Sequence, residues 1–366
     1  MKYKWNQEQI KKDWLRIKNL KDEEDSEKID HAFVNLFALK YHVIVRAKNS
    51  SLFNKMIDRY NFFVRYYYRI KDISEFLDIV RSYNINRCEL PKEIFNDDKI
   101  IFLAKEYYDN LNEDYRKDFN RFLANKNGRI EMNNYLNDDE GVTWIIEPIK
   151  EYYIEIQKLD NIIDVITMIH EVSHVISFYH NDGLLFKDSN KFIEEIDSTF
   201  HELLACDYFA KVYDKEKEAI IIHCNKLNYM KEMADNYLSL ISIGKIISMK
   251  ELTDIKTTYA YIRKIIGYQK EEIIDIYNDD FVKSYHYFTA YLIAVELYQI
   301  YQENPEKAFT ILNKIININK ENDKEIYDAI HEIGIIENEN LLNYINNLRE
   351  RSRLYHEQTR VRQRKI

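Results

Sequence analysis

The scarcity of glycine and proline constrains this sequence more than any other feature. Its 366 residues contain only 6 Gly and 3 Pro, the residues that allow left-handed backbone and fixed turns. Collagen, glycine-serine linker arrays and most turn-rich β architectures are therefore excluded. Apolar residues instead recur at helical spacing, as in Trp5, Ile10, Trp14 and Ile17. The sequence predicts a mainly α-helical protein with a sizeable core.

One stretch breaks the helical pattern. Residues 125–141 collect Asn, Asp and Gly, and two short β-like runs follow at 142–146 and 152–157. We therefore expect a small sheet within an otherwise helical chain. The predicted regions are a helical N-terminal region over 1–125, a region over 126–348 that carries the chemistry, and a basic C-terminal tail over 349–366.

The overall charge is acidic. The chain has 53 Lys and Arg against 62 Asp and Glu, a net charge of −9, so we expect no nucleic-acid partner. Three cysteines at unrelated spacings favour a reducing compartment. The N-terminus lacks the apolar segment of a signal peptide, and no apolar run approaches the roughly 18 residues that span a bilayer. The sequence predicts a soluble, cytoplasmic protein without membrane association and leaves its oligomeric state open.

Residues 170–174 read HEVSH within an apolar stretch of helical pattern. Positions i and i+4 share a helix face, so the imidazoles of His170 and His174 can bind one Zn²⁺. Glu171 lies beside them, and its carboxylate can take a proton from a water whose pKa zinc lowers to about 7. We therefore predict one Zn²⁺ per chain, with Glu171 as the general base.

A catalytic zinc needs a third protein ligand. In residues 192–204, the side chains of Glu195, Ser198 and Glu202 share one helix face, and this second helix can pack antiparallel against the first. Glu195 would supply the ligand, while Ser198 and Glu202 would orient the histidines by hydrogen bonds. The alternative ligands are Glu194, Asp197 and His201.

These residues resemble the oligoendopeptidase F and thimet oligopeptidase family of zinc peptidases. Residues 164–179 are similar to the family's D-V-F-T-L-x-H-E-x-G-H-x-x-x-S-Y-Y helix, and residues 192–202 to its F-V-A-E-V-A-S-T-F-N-E segment. The resemblance implies a helical, gluzincin-like zinc-peptidase fold with a small β-sheet beside the active-site helix. It also implies that Glu195 is the third zinc ligand and that residues 1–125 form one wall of the substrate cleft.

Two further elements of the resemblance concern the substrate. Residues 285–294 are similar to the family's Y-Q-Y-A-T-G-F-S-A-A segment, which implies that Tyr285 or Tyr287 stabilises the oxyanion; the residues alone favour an aromatic core face. The strand at 152–157 occupies the position of the family's edge strand. That position implies main-chain hydrogen bonds to an extended peptide from Tyr153, Ile154, Glu155 and Ile156.

The sequence therefore predicts a zinc-dependent metalloendopeptidase or oligopeptidase that hydrolyses short peptides. It departs from the family pattern at three places: Ser173 replaces a glycine, residues 127–141 replace a Gly-rich segment, and no histidine lies between His223 and His286. These departures motivate an alternative, a catalytically weakened relative that keeps the zinc helices and acts as a peptide-binding or interaction protein.

Overall fold

A computed structural model describes residues 4–20, 26–41, 89–126, 128–134, 140–180, 192–248, 281–317 and 338–363. Its helices are α1 (Gln7–Lys18), α2 (Ser26–Tyr41), α3 (Asp97–Leu111), α4 (Glu113–Asn125), α5 (Ile163–His180), α6 (Phe192–Tyr213), α7 (Glu216–Ser248), α8 (Phe281–Glu303), α9 (Pro305–Ile316) and α10 (Asn338–Gln363). Its strands are β1 (Ile130–Asn133), β2 (Gly141–Ile146) and β3 (Glu151–Gln157). The prediction of a mainly helical protein with a small sheet is confirmed.

The strand order of the sheet is β1–β3–β2. Strand β3 runs parallel to β1 and antiparallel to β2, and its Ile154 pairs with both Ile130 and Thr143. Strands β2 and β3 were expected from the sequence, whereas β1 was missed because its four residues lie within the polar stretch that was interpreted as a break.

The expectation that residues 152–157 form an edge strand is wrong. Strand β3 is the central strand, so neighbouring strands already bind the main chain of Tyr153, Ile154, Glu155 and Ile156 on both sides. Hydrogen-bonded strands leave no ladder positions for a peptide. Within the described ranges, β2 pairs only with β3, and β2 is therefore the edge strand that lies beside the HEVSH helix.

Helices cover both faces of the sheet. Residues directly opposite in an antiparallel pair point to the same face, so Gly141 and Thr143 share a face with Ile154, and this face lies against α5. Trp144 and Tyr153 point to the other face, where they pack against α1 and α2. The buried apolar residues that pack together on this second face are Trp5, Ile10, Ile17, Ala32, Leu36, Leu39, Ile146, Ile149 and Tyr153.

A buried ionic network fastens α1 to the sheet. The Asp13 side chain is fully buried, and its Oδ2 accepts hydrogen bonds of 2.7 Å from both Arg129 Nη1 and Tyr153 Oη. Burial raises the pKa of Asp13, but the hydrogen bonds from Arg129 and Tyr153 outweigh that effect and lower it below its ordinary value. Glu151 adds a second carboxylate, whose Oε2 lies 3.4 Å from Arg129 Nη2. The buried charges therefore compensate one another.

The described elements group into two compact units. The first contains α1 to α5, the sheet and most of α6, and the second contains α8 to α10 and most of α7. In the second unit, His223 Nδ1 lies 2.9 Å from the Tyr344 hydroxyl, and both side chains are buried. None of the described helices has the length and hydropathy of a membrane span. The domain boundaries at residues 125 and 348 stay a prediction.

Substituting Asp13 tests the buried network. We expect Asp13→Asn to lower the free energy of unfolding by about 3 kcal/mol, because the charge of Arg129 loses its closest buried partner. Chemical denaturation monitored by circular dichroism measures the change. The exposed Asp30→Asn serves as the control and should change stability by less than about 0.5 kcal/mol. Equal stability of the two variants would contradict the assigned role of Asp13.

Candidate metal centre

The HEVSH sequence lies in the middle of α5, which is buried along most of its length between the sheet, α3, α4 and α6. At the N-terminus of α5, the Asn161 side chain accepts a hydrogen bond from the Ile163 N–H. The Nε2 atoms of His170 and His174 lie 3.1 Å apart. Two ligands of a tetrahedral Zn²⁺ stand about 3.3 Å apart, given metal–nitrogen distances of about 2.0–2.1 Å. The pair therefore matches the geometry of shared metal ligation.

Glu195 completes a three-residue group. It lies in the first turn of α6, and its carboxylate oxygen and the two imidazole nitrogens lie within 4.8 Å of one another. In the part of the chain that the structure describes, this is the one group of three or more such side chains able to hold a metal ion. Two imidazoles and one carboxylate form a donor set used by catalytic zinc sites.

The alternative ligands have other surroundings. Asp197 and His201 are buried and contact each other, with 3.3 Å between Asp197 Oδ1 and His201 Nε2. Burial raises the pKa of Asp197, but the neighbouring His201 imidazole and the hydrogen bond from Ser177 together outweigh that effect and lower it. Glu194, next to Glu195, is not part of the metal-binding group.

Glu202 lies on the same face of α6 as Glu195, two turns further on. Its Oε1 is 2.5 Å from His170 Nδ1. When Nδ1–H donates to a carboxylate, the lone pair of Nε2 remains free to bind a metal. The contact between Glu202 and His170 therefore fixes the imidazole in the tautomer that metal binding requires.

Ser198, one turn before Glu202, is fully buried.

Glu171 is buried and held by the edge strand. The hydroxyl of Thr143, in β2, donates to Glu171 Oε2 at 2.6 Å and also lies 3.0 Å from the Glu171 main-chain oxygen. A Cβ added to Gly141 would lie 2.6 Å from Thr167 Cγ2 and 2.7 Å from Glu171 Oε1. Only glycine therefore lets β2 approach α5 this closely, and that approach brings Thr143 to the carboxylate.

Neither Gly141 nor Thr143 is among the predicted site residues, although Thr143 lies in the strand predicted over 142–146. Gly141 is the last residue of the polar break over 125–141, and it directly precedes a β-like run. It is also one of only 6 glycines in the chain. That position could have indicated a close backbone approach. The contact between Thr143 and Glu171 carries no sequence signal, because the alternation of a strand does not specify which helix covers each face.

Ser173, which replaces the glycine of the family pattern, is also fully buried. Its hydroxyl donates to the Ile169 main-chain oxygen at 2.9 Å and lies 2.8 Å from the Tyr108 hydroxyl. The extra polar atom is thus hydrogen bonded on both sides. The substitution leaves α5 continuous from Ile163 to His180.

The two predicted tyrosines lie in α8. The Tyr287 side chain is half-buried, and the Tyr285 side chain lies outside the described part of the structure. Their proposed contact with substrate stays a prediction.

Comparison with known proteins identifies the fold. No protein-family model matches the sequence, and no curated protein matches it. Among solved structures, a protein assigned as an oligoendopeptidase F superposes with a TM-score of 0.54 at 12% identity, covering 87% of this chain and 60% of that chain. PZ peptidase A, solved with an inhibitor, superposes with a TM-score of 0.51 at 13% identity, covering 86% of this chain and 60% of that chain. A protein from Bacillus anthracis that is assigned as an oligoendopeptidase F superposes with a TM-score of 0.50 at 14% identity, covering 87% of this chain and 59% of that chain.

The protein has the oligoendopeptidase fold. The resemblance inferred from the sequence therefore holds at the level of the fold. The chain spans about 60% of the length of the solved structures that it matches. At 12–14% identity, the likeness establishes the arrangement of helices and sheet and not the chemistry.

Substituting Gly141 tests the close approach of β2 and α5. We expect Gly141→Ala to lower the free energy of unfolding by about 1–3 kcal/mol, because the methyl group overlaps with Thr167 Cγ2 and the Glu171 carboxylate. Adding Thr167→Ser removes the first overlap and should restore part of the loss. Chemical denaturation of metal-free protein measures both effects, with Thr167→Ser alone as the control. Wild-type stability of Gly141→Ala would rule out the close approach.

Proposed function

We propose that this protein is a zinc-dependent metallopeptidase that hydrolyses peptide bonds in short peptides. The observation that carries the proposal is the convergence of His170, His174 and Glu195, with the buried Glu171 directly after His170 in the same helix. The names of the structurally similar proteins support a peptidase, and oligoendopeptidase is the description of two of them.

The residues present fit a zinc ion. His170, His174 and Glu195 would hold it through two nitrogens and one oxygen, and Glu202 keeps His170 in the required tautomer. Zn²⁺ bound by such a set lowers the pKa of a coordinated water to about 7 and polarises a carbonyl group. The same donor set also suits cobalt or manganese, so metal identity is part of the test.

Glu171 would act as the general base. Its carboxylate would accept a proton from the attacking water and then deliver it to the nitrogen of the breaking peptide bond, which leaves as an amine. The hydroxyl of Thr143 donates to Oε2 and fixes the orientation of the carboxylate. Tyr285 or Tyr287 would donate a hydrogen bond to the developing oxyanion.

An extended peptide would bind along β2. Residues 152–157 cannot serve this purpose because β3 is the central strand. Strand β2 carries both Thr143 and Gly141, which contact or closely approach Glu171. A peptide added to the edge of β2 by main-chain hydrogen bonds would therefore pass near the general base.

Metal content provides the first test. We expect about one zinc per chain by plasma mass spectrometry of the purified protein, and loss of that zinc in His174→Ala and Glu195→Gln. Glu194→Gln is the matched control, since it makes the same change one position along the same helix and should retain zinc. Absence of metal in the wild type after zinc addition and dialysis would overturn the proposal.

Peptide hydrolysis provides the second test. We expect wild-type protein to cleave members of a mixed short-peptide library, and Glu171→Gln to lower kcat by at least about 100-fold while zinc content and unfolding remain unchanged, because the substitution removes the proton acceptor. Glu194→Gln should keep full activity. Zinc binding without any turnover by the wild type would favour the alternative function, a peptide-binding or interaction protein.

A further inference from the structure

We propose that Ser177 and Asp197 are positioning residues that hold α6 against α5 and thereby keep the carboxylate of Glu195 close to the two histidines. This inference rests on the proposed zinc site. It assigns a role to a polar contact that lies beside the ligands without being one of them.

Two polar bridges join α5 and α6. At one end, His170 Nδ1 contacts Glu202 Oε1 at 2.5 Å. At the other end, the Ser177 hydroxyl donates to Asp197 Oδ2 at 2.5 Å. Along α5, His174 lies between the two bridged positions, which are two helical turns apart. The bridges therefore lie on either side of His174 on α5, and on α6 Glu195 lies two residues before the bridge at Asp197. Together the two bridges fix the relative register of the two helices.

The second bridge continues into α3. Asp197 Oδ1 lies 3.3 Å from His201 Nε2, and His201 Nδ1 lies 2.7 Å from the Tyr107 hydroxyl. Ser177, Asp197, His201 and Tyr107 are each at most 4% exposed. The side chains are thus enclosed by protein, where a hydrogen bond is stronger than it is in water. The chain of contacts ties α3, α5 and α6 together behind the metal ligands.

The position of Glu195 explains why such a tie would matter. Glu195 lies in the first turn of α6, and first-turn N–H groups have no acceptor within their own helix. Helix ends fray for this reason. Asp197 comes two residues later in the same continuous helix, so a bridge at Asp197 restrains the turn that carries the ligand.

The buried Asp197 carboxylate needs the contacts that this network supplies. A buried carboxylate is costly unless it is paired. Asp197 is 1% exposed, and its two oxygens contact Ser177 and His201.

Metal affinity separates positioning from general stabilisation. Metal-free full-length protein is titrated with Zn²⁺ against a chromophoric chelator, and with Co²⁺ while its visible absorption is recorded. We expect Ser177→Ala to weaken Zn²⁺ binding by about 10–100-fold and to alter the Co²⁺ spectrum, because partners that orient metal ligands typically contribute that much. Asp197→Ala should have a similar effect. The double variant should lose no more affinity for Zn²⁺ than the single variant with the larger loss.

Asp118→Ala is the matched control. Asp118, in α4, contacts His180 at the end of α5 with 2.5 Å between Oδ2 and Nε2, so this variant also removes a polar tie to α5 but none to α6. It should lose stability and keep wild-type affinity for Zn²⁺.

Ser177→Ala removes a single hydroxyl and should fold even if Asp197→Ala does not.

Three other results are decisive. Wild-type affinity in Ser177→Ala and Asp197→Ala would overturn the positioning role and leave the zinc site standing. Affinity that falls in all variants in proportion to their stability, Asp118→Ala included, would reduce the bridge to a structural contact and overturn the inference. Failure of the wild type to bind Zn²⁺ would overturn the proposed function and the inference together.

Discussion

The structure depends on burying one helix that carries a series of polar side chains. Imidazoles, carboxylates and hydroxyls lose their hydration when α5 is enclosed, and each needs a hydrogen-bond partner in compensation. Neighbouring elements supply these partners: Glu202 for His170, Thr143 for Glu171, Tyr108 for Ser173 and Asp197 for Ser177. Helices α3 and α6 and strand β2 are therefore held around α5 by polar contacts as well as by apolar packing.

This requirement joins the fold to the chemistry. The partners that satisfy α5 are also the groups that orient the candidate ligands and the proposed general base. Glu202 sets the tautomer of His170, and Thr143 sets the carboxylate of Glu171. A change in the packing of α6 or β2 would consequently alter the candidate metal centre, even without substitution of any proposed ligand.

The central strand connects this arrangement to the opposite face of the sheet. Successive residues of β3 point to opposite faces. Tyr153 donates to buried Asp13 on the α1 side, and Ile154 faces α5. The ionic network of Asp13 and Arg129 therefore supports the sheet from behind. Its central position also removes β3 from peptide binding and leaves β2 as the edge strand beside Glu171.

Much of this protein could be predicted from local sequence pattern. Helical spacing gave the mainly helical class, short runs of β-branched and aromatic residues gave β2 and β3, and the i, i+4 relation placed His170 and His174 on one face. Helical periodicity likewise placed Glu195 and Glu202 together. These relations depend on residues a few positions apart, which is why the sequence alone determined them. The predicted edge strand was wrong because strand order depends on pairing between distant segments.

The tertiary structure decided which partners meet across the chain. Asp13 contacts Arg129 across 116 positions, and Thr143 contacts Glu171 across 28. The four residues of β1 carry no clear strand signal in the sequence. They form a strand because β3 offers them a parallel partner. Such contacts depend on how elements pack, and periodicity specifies only the face that is buried and not the element that covers it. The sequence therefore determined which side chains could bind a metal, while packing determined how they are held.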